Sequence, residues 1–318
     1  MCMQKTWRYL LNVTVSVALI AFIIYLTGVD RIAEQLAGLA LPVFLLALGL
    51  ENLGVALSAK KWQLLLRAKH EQVSFLQAWK YYYIGTFFNA FLPTSVGGDV
   101  VKAHVFSKQL QRREESYASV VMDRLTGLIA VAAIGSLSLV IGWPLIDQTA
   151  RLLALPILGL PLVVLVVLFF TDWIDRLLRL SFLQRFTRAR RFIQDVYRAL
   201  RAYRMHRRAM LPVMAISLSY HLLLVLVNIT LAWALGLTIA VSYFFIFIPV
   251  AEILVFLPVT MQGFGVREGT YVTLFSSVGV NSAAAFSLGF SDQLVKLAGN
   301  VIGGLVYLGH SLRATAAP

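Results

Sequence analysis

Two short segments put charge beside broken backbone inside otherwise apolar sequence. The first reads Leu92-Pro93-Thr94-Ser95-Val96-Gly97-Gly98-Asp99, with Lys102 one turn further on. The second reads Leu257-Pro258-Val259-Thr260-Met261-Gln262-Gly263-Phe264-Gly265-Val266-Arg267-Glu268-Gly269. Proline removes an amide donor and neighbouring glycines weaken a helix, so neither segment continues as one undistorted helix. A helix that restarts after such a break presents unpaired N-terminal amides, which suit a phosphate, and glycine lets a ligand or a neighbouring backbone approach closely. On that chemistry Lys102 and Arg267 are candidate phosphate ligands. Asp99, Glu268 and Glu252 are candidates to pair with a cationic group or to carry a proton. The alternative is that these acids and bases only neutralise each other.

The composition sets the solvent in which those segments must fold. With 59% hydrophobic and 14% charged residues and a mean hydropathy of +0.78, a soluble domain would be covered in apolar surface, so the solvent is lipid. The chain carries 28 Lys+Arg against 15 Asp+Glu, a net charge of +13, and its bases lie in short loops between apolar runs. That is the charge of cytoplasmic loops rather than of a nucleic-acid surface, and no nucleic-acid partner is expected. Cys2 is the only cysteine, which excludes a disulfide framework or a cysteine metal site within one chain. A phosphate-binding Gly-x-x-x-x-Gly-Lys-Ser/Thr is missing, and the first outer loop offers only Asp30 and Glu34, without paired-carboxylate spacing. The reading is therefore of a protein that is not an enzyme and has no cofactor or metal.

Charge then orders the spans. The run from about Trp7 to Thr27, with Lys5 and Arg8 ahead of it, reads as a first membrane helix with its N-terminus in the cytoplasm. Span two covers Pro42 to Ser58, and a basic linker with Lys60, Lys61, Arg67, Lys69 and Lys80 follows on the cytoplasmic side. Between Arg176 and Arg208 lie eleven arginines, so that loop is also cytoplasmic. Working back through the spans Arg151 to Phe170 and Tyr117 to Ile141, the stretch Lys102 to Arg113 comes out cytoplasmic too. Residues 81 to 106 then enter and leave on one side, as a re-entrant hairpin, which a bilayer allows only where the irregular backbone is buried or lines a polar cavity.

Beyond the arginine loop, Met210 to Leu235 spans outward, Tyr243 to Val280 holds the second break, and about Ala283 to His310 ends inside near Arg313. The second hairpin thus opens from the outside. The predicted fold is an all-α polytopic membrane protein, an inverted repeat of about six full transmembrane helices and two re-entrant helical hairpins. The first half takes 1–171, an amphipathic arginine-rich loop 172–208, and the second half 209–318. In that loop Phe192, Ile193, Val196, Leu200 and Tyr203 recur at helical spacing between arginines. The arginines read as an orientation signal, with recruitment of anionic lipid as the alternative.

Ionisable groups within spans are costly and are functional candidates by default. Glu51, Asp123 with Arg124, His221, Asn228, Glu252, and Asp292 with Lys296 are of this kind. Asp292 and Lys296, four apart, also fit a simple intrahelical salt bridge, and Asp123 with Arg124 fit a membrane-interface position. Asn89, Thr94, Ser95, Gly97, Gly98, Gln262, Gly263, Gly265 and Tyr271 complete the candidate binding set around the two breaks.

Three motifs together, Leu92 to Lys102, Asp123-Arg124 and Gly263 to Gly269, resemble the membrane region of bacterial lysylphosphatidylglycerol synthases over nearly the whole chain. The resemblance implies a lipid flippase of the bacterial cytoplasmic (inner) membrane, multi-pass with both termini cytoplasmic. Its implied substrates are aminoacylated phospholipids, hopanoids or polyprenyl-linked glycan carriers. Implied partners are membrane lipids, whether anionic phospholipid or isoprenoid, and a lipid-modifying enzyme. No aminoacyl-transferase domain follows the last span, so only the transport half of the family's activity carries over. An integral membrane enzyme, or an accessory subunit of lipid or polyprenyl-glycan metabolism, is the alternative reading.

Overall fold

The computed structural model describes residues 30, 37–69, 71–92, 97–110, 113–170, 187–203, 206–257 and 260–315. The first predicted span lies outside them, as do Pro93, Thr94, Ser95, Val96, Pro258 and Val259. Ten α-helices and no strand occur among the described residues. They are α1 Leu41–Arg67, α2 Phe75–Phe91, α3 Gly97–Ser107, α4 Arg113–Ile141, α5 Gln148–Phe170, α6 Thr187–Ala202, α7 Arg207–Ala234, α8 Val241–Val255, α9 Val266–Ser276 and α10 Ser282–Thr315.

Local chemistry explains several boundaries. Pro42 sits in the first turn of α1, where its missing N–H costs nothing. Ser74 opens α2 with a capping box: its hydroxyl accepts from the Gln77 amide at 3.2 Å and the Gln77 side chain accepts from the Ser74 amide at 3.0 Å. Both predicted breaks interrupt helices. After α2 the chain restarts at Gly97, and after α8 it passes through Gln262, Gly263 and Gly265, all with positive φ (49°, 82° and 81°), before α9 begins. Glycine enters that left-handed region at little cost, whereas the Gln262 conformation is strained.

The helices α1, α4 and the Arg208–Ala234 part of α7 are long and apolar enough to cross a membrane. Their outer faces carry exposed Leu45, Leu53, Val140, Ile141, Leu211 and Trp233, an arrangement that only lipid tolerates. The protein is thus a helical membrane protein.

The packing pairs repeat between α1–α4 and α7–α10. α1 lies along α7, α4 against α8, and in the matching position α10 against α2. Each short helix, α3 or α9, packs on the helix before its break and on the long helix after it. Gly98 makes the first of these approaches possible: a Cβ there would stand 1.9 Å from the Gly85 carbonyl oxygen. Gly303 does the same for α10 on α2, where a Cβ would meet the Tyr83 carbonyl oxygen at 2.4 Å. A large core built around Val131, Leu158, Phe244, Phe247, Phe275 and Leu288 joins α4, α5, α8, α9 and α10. A second core, with Trp62, Tyr81, Ile84, Phe106 and Val120, holds α1 to α4 together.

Two expectations change. α1 runs past Ser58 to Arg67, and Lys61 is buried within it rather than lying in a solvated linker. The amphipathic helix is present as α6, but Leu200 and Tyr203 at its end pack on Leu65, Met122 and Val213, so the protein covers this part of its apolar face. Lys69 secures the contact, donating to the Ala199 carbonyl at 2.6 Å and pairing with Glu115 at 3.3 Å.

Candidate functional site

Each break leads into a buried ion-pair network. At the first, Lys102 on α3 pairs with Asp99 at 3.2 Å and with Asp123 on α4 at 3.3 Å. Lys61 from α1 meets the other Asp123 oxygen at 2.9 Å and donates to the Asp123 main-chain carbonyl at 2.9 Å. Arg124 pairs with Asp99, and the Tyr82 hydroxyl donates to Asp123 at 3.3 Å. The Lys102 ammonium also sits 4.0 Å from the centre of the Tyr82 ring. Buried ion pairs hold only where further donors and acceptors complete them.

At the second break, Arg267 on α9 reaches Asp292 on α10 at 3.0 Å and Glu252 on α8 at 3.5 Å, and it donates to Gln293. Lys296 bridges Glu252 and Asp292, both at 2.9 Å. The i,i+4 pair read from the sequence is therefore one edge of a four-residue network, not an isolated salt bridge. Tyr271 donates to Asn228 at 2.9 Å, which in turn donates to Asp292 at 3.5 Å.

The two networks face one polar chamber. A cavity of about 220 Å³ is lined by Lys61, Asp99, Asp123 and Arg124 of the first network and by Glu51, His221 and Glu252. A second cavity of about 170 Å³ shares Glu51, Thr86, Asn89, Tyr220 and Glu252 with the first, and adds Gln262, Arg267, Lys296 and Asn300. The poles differ in charge. The first network holds three bases, Lys61, Lys102 and Arg124, and two acids, Asp99 and Asp123. The second holds two bases, Arg267 and Lys296, against Glu252 and Asp292, with Glu51 beside them on the wall they share.

The candidates read from the sequence separate into groups. Asp99, Arg124 and Glu252 line the chamber, as does Asn89, whose side-chain oxygen accepts from the Gly98 amide at 2.7 Å. Asp123 lines it while holding two lysines. Gln262, Arg267 and Lys296 line the second lobe. Lys102 and Asp292 are buried behind the wall as partners of lining residues, and Tyr271 is buried and bonded to Asn228. Glu268 turns back to cap its own helix, accepting from the Gly265 amide at 2.7 Å. Gly97, Gly98, Gly263 and Gly265 shape the backbone, and Thr94 and Ser95 fall outside the described residues. Sequence reasoning missed Lys61, Thr86, Tyr82 and Gln293. Lys61 was hidden among loop lysines, and the signal that could have found it is its position three turns after Glu51 on one continuous helix. Among the described residues no group of three or more His, Cys, Asp or Glu side chains is placed to hold a metal ion.

The family model described as the lysylphosphatidylglycerol synthase TM region matches residues 9–304. The chain belongs to that family. Within it, the chain is similar to the UPF0104 membrane protein PH1989 of Pyrococcus horikoshii, 26% identical over 164 residues, which is 51% of this chain and 48% of that protein. The match thus spans about half the length of this curated relative. No solved structure matches. Membership of the family agrees with the helical membrane architecture, and the matched region contains both breaks and both ion-pair networks.

Proposed function

We propose that this member of the lysylphosphatidylglycerol synthase membrane-region family moves a polar-headed lipid across the bilayer, with the headgroup held in the chamber between the two helix breaks. The observation that carries the reading is the chamber itself, where charged side chains from both halves line one cavity in the middle of an otherwise apolar helical bundle. Buried charge is expensive in a membrane, and a protein that only needed to be stable would replace such pairs with well-packed apolar residues. Ionisable groups that face a cavity instead offer a lipid headgroup the counter-charges it loses on leaving water.

Arg124 and Lys61, which line the first lobe, would hold the phosphate, and the acyl chains would stay in lipid. The two broken segments are taken to dip into the bilayer from opposite faces, so that rocking one half against the other opens the chamber to each face in turn. The repeated packing of α1–α4 and α7–α10 supplies two similar units for such a motion. With no nucleotide-binding loop in the chain, energy would come from an ion gradient or from the lipid gradient. We place the protein in the cytoplasmic membrane, with the arginine-rich stretch and both ends of the chain on the cytoplasmic side.

The test is translocation by purified protein in vesicles. A lipid with a fluorescent label, loaded in the inner leaflet, becomes accessible to an impermeant quencher if the protein carries it. Protection equal to that of protein-free vesicles would refute transport. Appearance of a new lipid species would assign an enzyme instead, and neither outcome with retained binding of a lipid-modifying enzyme would assign an accessory subunit.

A further inference from the structure

The chamber holds one acid that the ion-pair networks leave unused. Glu51 lies in the middle of α1, only 7% exposed, and its Oε2 has no hydrogen-bond partner among the described residues. It forms no ion pair among them, although Glu252, one helix away on the same wall, is paired with both Arg267 and Lys296. Glu51 lines both lobes, which share it with Tyr220 and Glu252. Desolvating a carboxylate without a partner costs far more than a neutral hydrogen bond returns. A carboxyl left in that state can take a partner that arrives from outside.

The chemistry of the partner follows from what surrounds it. The bases that line the lobe beside it, Lys296 and Arg267, are already engaged by Glu252 and Asp292. The neighbouring Tyr220 on α7, which lines both lobes, offers a hydroxyl and no fixed charge. The side of the chamber around Glu51 and Glu252 is thus short of one cation, while the side around Lys61 and Arg124 carries the surplus base. The two lobes, of about 220 and 170 Å³, leave room for a phosphate with a short cationic arm.

We infer that Glu51 is the ammonium subsite of the chamber, and that the lipid it serves carries a compact zwitterionic headgroup, with one phosphate toward Lys61 and Arg124 and one primary ammonium on Glu51. This rests on the proposed lipid-binding role of the chamber and adds to it the class of headgroup and the residue that selects it. An ammonium–carboxylate hydrogen bond in a buried site is a charge-assisted one, and its loss corresponds to about 10- to 100-fold in affinity.

The experiment is competitive lipid binding to the purified full chain in detergent, read by native mass spectrometry. Three probes share a glycerophosphate: phosphatidylethanolamine, its N-acetylated form, which keeps the phosphate and loses the cation, and phosphatidylglycerol. Wild-type protein should prefer phosphatidylethanolamine over each of the other two by about tenfold or more. In Glu51→Gln, nearly isosteric, that ratio should fall to about one. Equal binding of all three lipids by the wild type would overturn the inference, and this arm needs no variant to fold. A preference unchanged in Glu51→Gln would also overturn it, as would free phosphoethanolamine displacing the lipid, which would move the site to a soluble ligand. Translocation of phosphatidylglycerol without any ammonium preference would leave the transport proposal standing and remove only the Glu51 subsite. Absence of translocation for every lipid would remove transport itself.

Discussion

The Arg267 Nε lies 3.0 Å from an Asp292 carboxylate oxygen, tying the short helix after the second break to the long helix behind it. Lys102 and Asp123, 3.3 Å apart, make the same connection after the first break. In both halves a base in the first turns of the restarted helix is paired with an acid about ten residues into the next one. The breaks are therefore fixed by buried charge as well as by glycine.

Removing Arg267 tests that fixing. Arg267→Ala leaves Asp292 to Lys296 and Asn228, and loss of one member of a buried pair costs about 3–5 kcal/mol. The expected outcome is a clear fall in the thermal midpoint in detergent together with loss of lipid translocation. Asp99→Ala should also abolish translocation, because Arg124 and Lys102 share that carboxylate. Wild-type translocation in both variants would separate these residues from function.

Lys61 and Asp123 allow stability to be parted from transport. Asp123→Leu alone strands Lys61 and should destabilise by about 3–5 kcal/mol. Adding Lys61→Met removes the stranded charge, and Lys102 keeps Asp99 as a partner, so much of the thermal stability should return. Translocation should not return, since the chamber has lost a base that faces it. Paired melting and translocation measurements on the single and double variants check this.

Gly98→Ala should lower the thermal midpoint more than an alanine at an exposed helix position. Its Cβ would collide with the Gly85 carbonyl oxygen and the Asn89 amide, forcing α3 away from α2. Overpacking of this kind costs about 1–3 kcal/mol or more. Gly159→Ala, with open space around it inside α5, is the control and should keep or raise stability, by up to about 1 kcal/mol.

Glu268→Gln should retain translocation within a few-fold. The Glu268 side chain accepts from the Gly265 amide, and the Gln side-chain oxygen accepts the same bond. Glu268→Ala removes the cap and should cost about 0.5–2 kcal/mol of stability. A total loss of translocation in Glu268→Gln, with unchanged melting, would place Glu268 in the binding chemistry instead.

The positions of both breaks were legible in the sequence, because proline and glycine act on the backbone locally and need no knowledge of the fold. So were α1, α4 and most of α7, whose apolar runs exceed what a soluble core would use. Partner choice was not legible. Lys102 and Arg267 looked like phosphate ligands from their place beside a helix start, yet Lys102 pairs with Asp99 and with Asp123 from α4, and Arg267 with Glu252 and Asp292 from α8 and α10. Lys61 looked like loop charge, since its neighbour Lys60 and the bases after it read as one cytoplasmic cluster. Its burial depends on Asp123, 62 residues away. The arginine-rich helix had the right amphipathic pattern, but periodicity cannot say whether an apolar face meets lipid or protein, and here Leu200 and Tyr203 meet protein.

The central claim is that one chamber is reached from either side of the membrane. Thr86 lines both lobes, and its hydroxyl bonds only to the Tyr83 carbonyl among the described residues. Thr86→Cys, made with Cys2→Ser, puts a single thiol on that wall. Reaction with an impermeant thiol reagent, applied separately to each face of oriented vesicles, is the direct measurement. The account predicts labelling from both faces, with protection from both when a bound lipid fills the chamber. Labelling from one face only, unchanged by lipid, would contradict it.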